Sequence, residues 1–81
     1  MSDAQRLQGA FREGLALPPA FDVTNAESNR LRQWDSVGHL ELVVAIEDAF
    51  RVRLSPADVI ELKSYPAAVD ILRRLGVWKD V

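Results

Sequence analysis

The stretch Trp34-Asp35-Ser36-Val37-Gly38-His39-Leu40-Glu41-Leu42-Val43-Val44-Ala45-Ile46-Glu47-Asp48-Ala49-Phe50 decides the fold of this chain. It opens with a helix start. Asp35 is a good N-cap, because its carboxylate can accept bonds from the orphan N–H groups of the first turn. Ser36 then takes the first helical position, with its hydroxyl outward at the positive end of the helix dipole. Such a place tolerates an attached anion, a phosphate above all. At about 100° per residue, Leu42, Val43, Ile46 and Phe50 fall on one side. Val37, Leu40 and Val44 fall on the other, with Glu41, Glu47 and Asp48 alongside. A helix needs only the first face to fold. A second apolar face with a charged rim marks a partner site.

The run from Asp35 to Phe50 resembles the modification site and second helix of acyl carrier proteins. That family carries 4′-phosphopantetheine on the serine of an Asp-Ser pair. An apolar residue follows the serine, then a Leu-x-Leu-Val-like run, a Glu and a Phe. Here those positions are Ser36, Val37, Leu40-Glu41-Leu42-Val43, Glu47 and Phe50. The dipeptide alone carries little information. The whole constellation, at this distance from both ends of a short chain, is specific. The resemblance covers roughly Leu7 to Leu75 and is weakest in the first loop.

Working outward, the 81 residues suffice for one domain with one core, taken as 1–81. Apolar residues make up 48%, enough for a packed interior without covalent staples. The absence of cysteine excludes disulfides, a thiolate nucleophile and cysteine-based metal sites. The net charge of -2 argues against non-specific nucleic-acid binding, which needs a basic surface. No apolar run approaches the roughly 18 residues of a membrane span. The N-terminus lacks the basic and apolar regions of a signal peptide, so a soluble, cytoplasmic monomer is the expectation.

Before the central helix, Ser2 or Asp3 can cap a first helix over about 3–15, with Leu7, Ala10, Phe11 and Leu15 at helical spacing. Gly14 weakens its last turn by roughly 1 kcal/mol relative to Ala. Ala16 to Gln33 is long for a connection, and Pro18-Pro19 stops helix propagation. Yet Leu17, Phe21, Val23, Leu31 and Trp34 are apolar. The segment therefore reads as an ordered loop pinned to the core, with a helical turn near Ala26–Arg30.

After the central helix, placed at 36–51, Val52 and Leu54 alternate with Arg51 and Arg53 in an extended connector. Ser55-Pro56-Ala57-Asp58 is a clean start for a short third helix, 56–62. Ser64 caps a fourth, 65–75, with Ala68, Ile71, Leu72 and Leu75 in register. Gly76 sits where a left-handed C′ residue belongs, and Val77 can contact Leu72. Beyond it lies a loosely docked tail with Trp78 as its only anchor. The fold class is all-α, a four-helix bundle of acyl-carrier type with a long first loop.

No base stands ready to make Ser36 a nucleophile of its own. It reads as an attachment point, and the chain as a carrier rather than an enzyme. His39, the only histidine, reads as a partly packed imidazole bonded locally, since a catalytic or metal role lacks partners. The resemblance implies that a phosphopantetheinyl transferase moves the arm from coenzyme A to Ser36, reading Asp35 as part of its motif. The arm then carries acyl groups as thioesters to acyl-loading and acyl-transfer enzymes of fatty-acid, polyketide or related pathways. Those partners would dock on Val37, Leu40, Glu41, Val44, Glu47 and Asp48. The family pattern is often more acidic, with acids or small polar residues where Gly38 and His39 stand. Alternatives are an aryl, aminoacyl or peptidyl carrier of nonribosomal synthesis, and a small helical adaptor without a prosthetic group. A helix-turn-helix DNA reader is weaker still, because only Arg73-Arg74 marks the fourth helix as basic.

Overall fold

Four helices form in the computed structural model, which describes residues 2–80: α1 (Asp3–Leu15), α2 (Ser36–Phe50), α3 (Pro56–Glu61) and α4 (Tyr65–Arg74). The described residues contain no β-strand, only an isolated bridge between Glu27 and Ser64. All four helix starts fall where the sequence places them. Helices α2, α3 and α4 each end one residue earlier than expected, at residues that leave helical geometry or become caps. Met1 and Val81 lie outside the described residues.

Side-chain caps fix the starts. Ser2 Oγ accepts from the Gln5 N–H while Gln5 Oε1 accepts from the Ser2 N–H, a reciprocal box. Ser55 and Asp58 make the same exchange at α3. Ser64 Oγ accepts from the Ala67 N–H at α4. At its far end α4 closes with Gly76 at φ 78°, its N–H on Arg73 O and the Val77 N–H on Leu72 O. That is the paired 5→2 and 6→1 pattern of a left-handed helix ending. Helices α1 and α2 end on left-handed Ala16 and Arg51 instead, at φ 51° and 54°.

The core lies between α1 and α2, which run antiparallel and make the most extensive helix contact. Leu7, Ala10, Phe11 and Leu15 from α1 meet Leu42, Val43, Ile46 and Phe50 from α2, and Tyr65, Ala68, Ile71 and Leu72 close the interior from α4. The Phe11 ring stands edge-on to Trp34 at 5.6 Å and tilts against Tyr65 at 5.4 Å. Gly14 explains the closeness of α1 and α2. A Cβ there would lie 2.7 Å from the Leu42 Cα. Its cost to helix propensity is thus the condition for the two backbones to approach.

The long loop is ordered by burial of Leu17, Val23, Ala26 and Trp34, with Phe21 and Leu31 packed at the margin. Its helical turn comes earlier than expected, at Val23–Asn25. Asp22 is the cause. Its Oδ1 accepts from both the Thr24 N–H and the Thr24 hydroxyl, which also holds its carboxyl below the usual range. Two backbone bonds then stitch the loop to the start of α4: Ser28 N–H to Lys63 O and Tyr65 N–H to Ala26 O.

The tail departs from expectation. Trp78 does pack on Phe50, with ring centroids 6.3 Å apart, but it is not the only anchor. Asp80 accepts from the Asp3 and Ala4 N–H groups, at 3.1 and 2.8 Å, and Asp3 accepts from the Lys79 and Asp80 N–H groups. Asp80 thereby caps α1 from the other end of the chain. This clasp sits at the Phe50 end of α2, the pole away from Ser36.

Candidate modification site and docking surface

The start of α2 is built by a close approach of backbone. Asp35 Oδ1 accepts from the Gly38 N–H at 2.7 Å, and Asp35 O accepts the first helical bond from the His39 N–H at 2.8 Å. Gly38 is buried, and a Cβ on it would fall 2.2 Å from the Gln33 carbonyl oxygen. The incoming loop therefore folds directly over the first turn, and only glycine fits beneath it. Any side chain at this position would have no room.

Ser36 is exposed, and its hydroxyl has no hydrogen-bond partner among the described residues. Asp35 beside it is occupied as the cap. The nearest candidate base is His39, whose two ring nitrogens are both engaged. Nδ1 accepts from the Trp34 indole N–H at 2.8 Å, and Nε2 lies 2.7 Å from the Val59 carbonyl oxygen. The expectation of purely local bonding for His39 is thus too narrow, since Val59 belongs to α3. Among the described residues no group of three or more His, Cys, Asp or Glu side chains is placed to hold a metal. Among the described residues no base is therefore placed to activate the Ser36 hydroxyl.

An apolar face runs from Ser36 down α2. Val37, Leu40 and Val44 are 64%, 62% and 54% exposed. The loop folds over Gly38 and leaves Leu40 in solvent. Glu41 and Asp48 flank this face and are exposed. Glu47 is different. Its Oε2 accepts from the Leu54 N–H at 2.9 Å, so this acid fastens the connector after α2 and is half-buried. Ile60 on α3, at 70% exposure, is a large exposed apolar side chain that sequence reasoning missed. A helix of six residues carries too little periodicity to show its outer face, but Ile60 lies two residues from buried Asp58 and Leu62, which is the available signal.

Between the start of α2 and α3 lies an open groove of about 710 Å³. Trp34, His39 and Leu62 form its deeper part, and Asp35, Ser36, Leu40 and Ile60 its exposed edge. Ser28, Asn29 and Lys63 add polar groups from the loop and from the residues before α4. The groove is a surface feature; the core beneath is filled by fully buried Leu42 and Leu62.

Helix α3 is carried on polar ties. Asp58, 3% exposed, bonds Arg74 Nη1 at 2.8 Å as well as the Ser55 N–H. Those bonds, the backbone one first, hold its carboxyl below the ordinary range against the opposing effect of burial. Arg74 also reaches Glu61 at 3.2 Å.

Among the described residues no helix is long and apolar enough to cross a membrane. No protein-family model, no curated protein and no solved structure matches this chain.

Proposed function

We propose that this chain is an acyl carrier, with Ser36 as the attachment point of 4′-phosphopantetheine. The observation that carries the reading is the pairing of an exposed, unactivated Ser36 with an uncovered apolar and acidic face that starts beside it. A fold needs neither. In the attachment step the Ser36 oxygen bonds the phosphorus that bears pantetheine. The pyrophosphate bond of coenzyme A breaks, adenosine 3′,5′-bisphosphate leaves, and the serine proton passes to a base of the transferase. The start of α2 favours the phosphodiester that results, because Ser36 stands at the positive end of the helix dipole. The arm's terminal thiol, which this cysteine-free chain cannot supply itself, would carry acyl or aminoacyl groups as thioesters. The protein contributes tethering, and hence a high effective concentration at the next active site. Val37, Leu40, Val44 and Ile60 would give partner enzymes a desolvated contact, with Glu41 and Asp48 steering them.

The test is incubation with coenzyme A and a broad-specificity phosphopantetheinyl transferase, read by intact mass. The wild type should gain one phosphopantetheine, and Ser36→Ala should gain none while keeping its helical circular dichroism. A wild type left unmodified by several such transferases would sink the carrier reading. The uncovered face would then belong to a helical adaptor that needs no arm.

A further inference from the structure

The Trp34–His39–Val59 bridge joins three elements: the end of the long loop, the first turn of α2 and α3. Its chemistry fixes its form. An indole N–H can only donate, so Nδ1 of His39 must accept. A carbonyl oxygen can only accept, so Nε2 must carry the proton. The imidazole is therefore neutral and held in a single tautomer. The Trp34 and His39 rings lie 22° from coplanar with centroids 6.2 Å apart, which is the edge-to-edge arrangement of an in-plane hydrogen bond and not a face-to-face stack. Trp34 is itself locked, buried against Phe11.

Besides the His39 bond, α3 is placed against α2 by the Glu47–Leu54 tie of the connector before it and by the packing of Val59 on the core. It is six residues long and makes few close backbone contacts with the other helices. Its other polar ties run to α4, through Arg74 to Asp58 and Glu61. His39 is the side chain that bonds it to α2, three residues from Ser36, and Trp34 and His39 both line the groove beside that serine.

We propose that His39 is a positioning residue for the Ser36 site: by bridging Trp34 and Val59 it holds α3 at a fixed distance from the first turn of α2 and so sets the groove that partner enzymes meet. This rests on the carrier reading for its consequence in docking, but not for the bridge itself. An apolar side chain of similar bulk would fill the space and leave the indole N–H and the Val59 carbonyl without their partner. Glutamine keeps one acceptor and one donor on a planar head, and so keeps the logic of the bridge.

The experiment compares wild type, His39→Leu, His39→Gln and Trp34→Phe. In the unmodified wild type, ¹⁵N NMR should show His39 Nδ1 as the bare nitrogen and Nε2 as the protonated one. The reverse tautomer, or an average of the two, would overturn the proposal. Hydrogen exchange at the amides of Val59 in α3 and of its C-cap Leu62 should quicken about tenfold in His39→Leu and Trp34→Phe. Amides of α1 should hold their rates, and His39→Gln should stay near wild type. Uniform quickening through all helices, or Gln behaving as Leu, would mean that His39 only fills space. With the transferase, His39→Leu should raise KM about 3–10-fold with kcat little changed, and Gln should restore it. A modified wild type whose KM is matched by His39→Leu would overturn the positioning role. A wild type that takes no arm would instead remove the carrier reading, and the NMR and exchange results would still decide the bridge.

Discussion

The two faces of α2 are made of the same residue types and have opposite fates. Leu42, Val43, Ile46 and Phe50 are buried between α1 and α4, while Val37, Leu40 and Val44 stand in solvent. Hydropathy does not separate them; the arrangement of neighbours does. Gly14 lets α1 settle on the first face, and nothing among the described residues covers the second. The first set explains why the chain folds. The second makes no such contribution, since its side chains stay in solvent.

The comparison breaks most visibly if the faces cost the same to truncate. Phe50→Ala should destabilise by about 3–5 kcal/mol, as buried aromatic truncations do, a large share of what a domain this small has. The variant also strips the Trp78 ring of its partner. Val44→Ala should cost well under half as much. A urea titration of both decides it, and equal losses would mean that the outer face is covered in solution.

Gly14→Ala tests what creates the inner face. By helix propensity alone the substitution should stabilise by about 1 kcal/mol. The approach to Leu42 predicts the opposite sign, a loss of about 1–3 kcal/mol as α1 is pushed off α2. The sign of the change in urea midpoint separates the two, and stabilisation would show that the helices can move apart freely.

Much of this was legible in the sequence, and the exceptions have physical causes. Helix starts were readable because Ser2, Asp35, Ser55 and Ser64 act through bonds to the residue three positions on. Asp35 was readable as the cap of α2 for the same reason. The loop turn lies earlier than its expected place because the Asp22–Thr24 pair, equally local, starts it. What sequence did not reveal depends on distance along the chain. The Asp3–Asp80 clasp spans 77 positions. The His39–Val59 bond spans 20, and no periodicity encodes either. For Glu47, spacing gives the direction of the side chain but not its bond to the Leu54 N–H.

Buried and exposed acids sharpen the comparison further. Asp58→Asn should cost about 1–2 kcal/mol near neutral pH, since it weakens the box at α3 and the pair with Arg74. The folded-state carboxyl of Asp58 titrates below its ordinary value. Its contribution is therefore fully present above the ordinary carboxylate range and is lost as pH falls through the lower, folded value. Wild type and Asp58→Asn should differ in thermal midpoint at pH 7 and converge under strong acid. A gap independent of pH would assign the loss to packing.

The smallest effect on stability is expected where the effect on recognition is greatest. Glu41 and Asp48 lie in solvent, and neither makes an ion pair among the described residues. Reversing an exposed charge of this kind changes stability by no more than about 0.5 kcal/mol. If partners dock on the outer face, the same change acts on the encounter, where acids on the carrier attract a basic partner surface over roughly a Debye length. Glu41→Lys and Asp48→Lys should then slow phosphopantetheine transfer, and the wild-type rate should fall toward theirs as salt rises. Val37→Asp should act at shorter range, raising KM at every salt concentration because it places a charge in the desolvated centre of the contact. Steady-state transferase kinetics at two ionic strengths, with circular dichroism as the folding control, separate the steering and contact roles. Three folded variants with wild-type kinetics would return the outer face to ordinary solvated surface, and recognition would have to come from the groove between α2 and α3 alone.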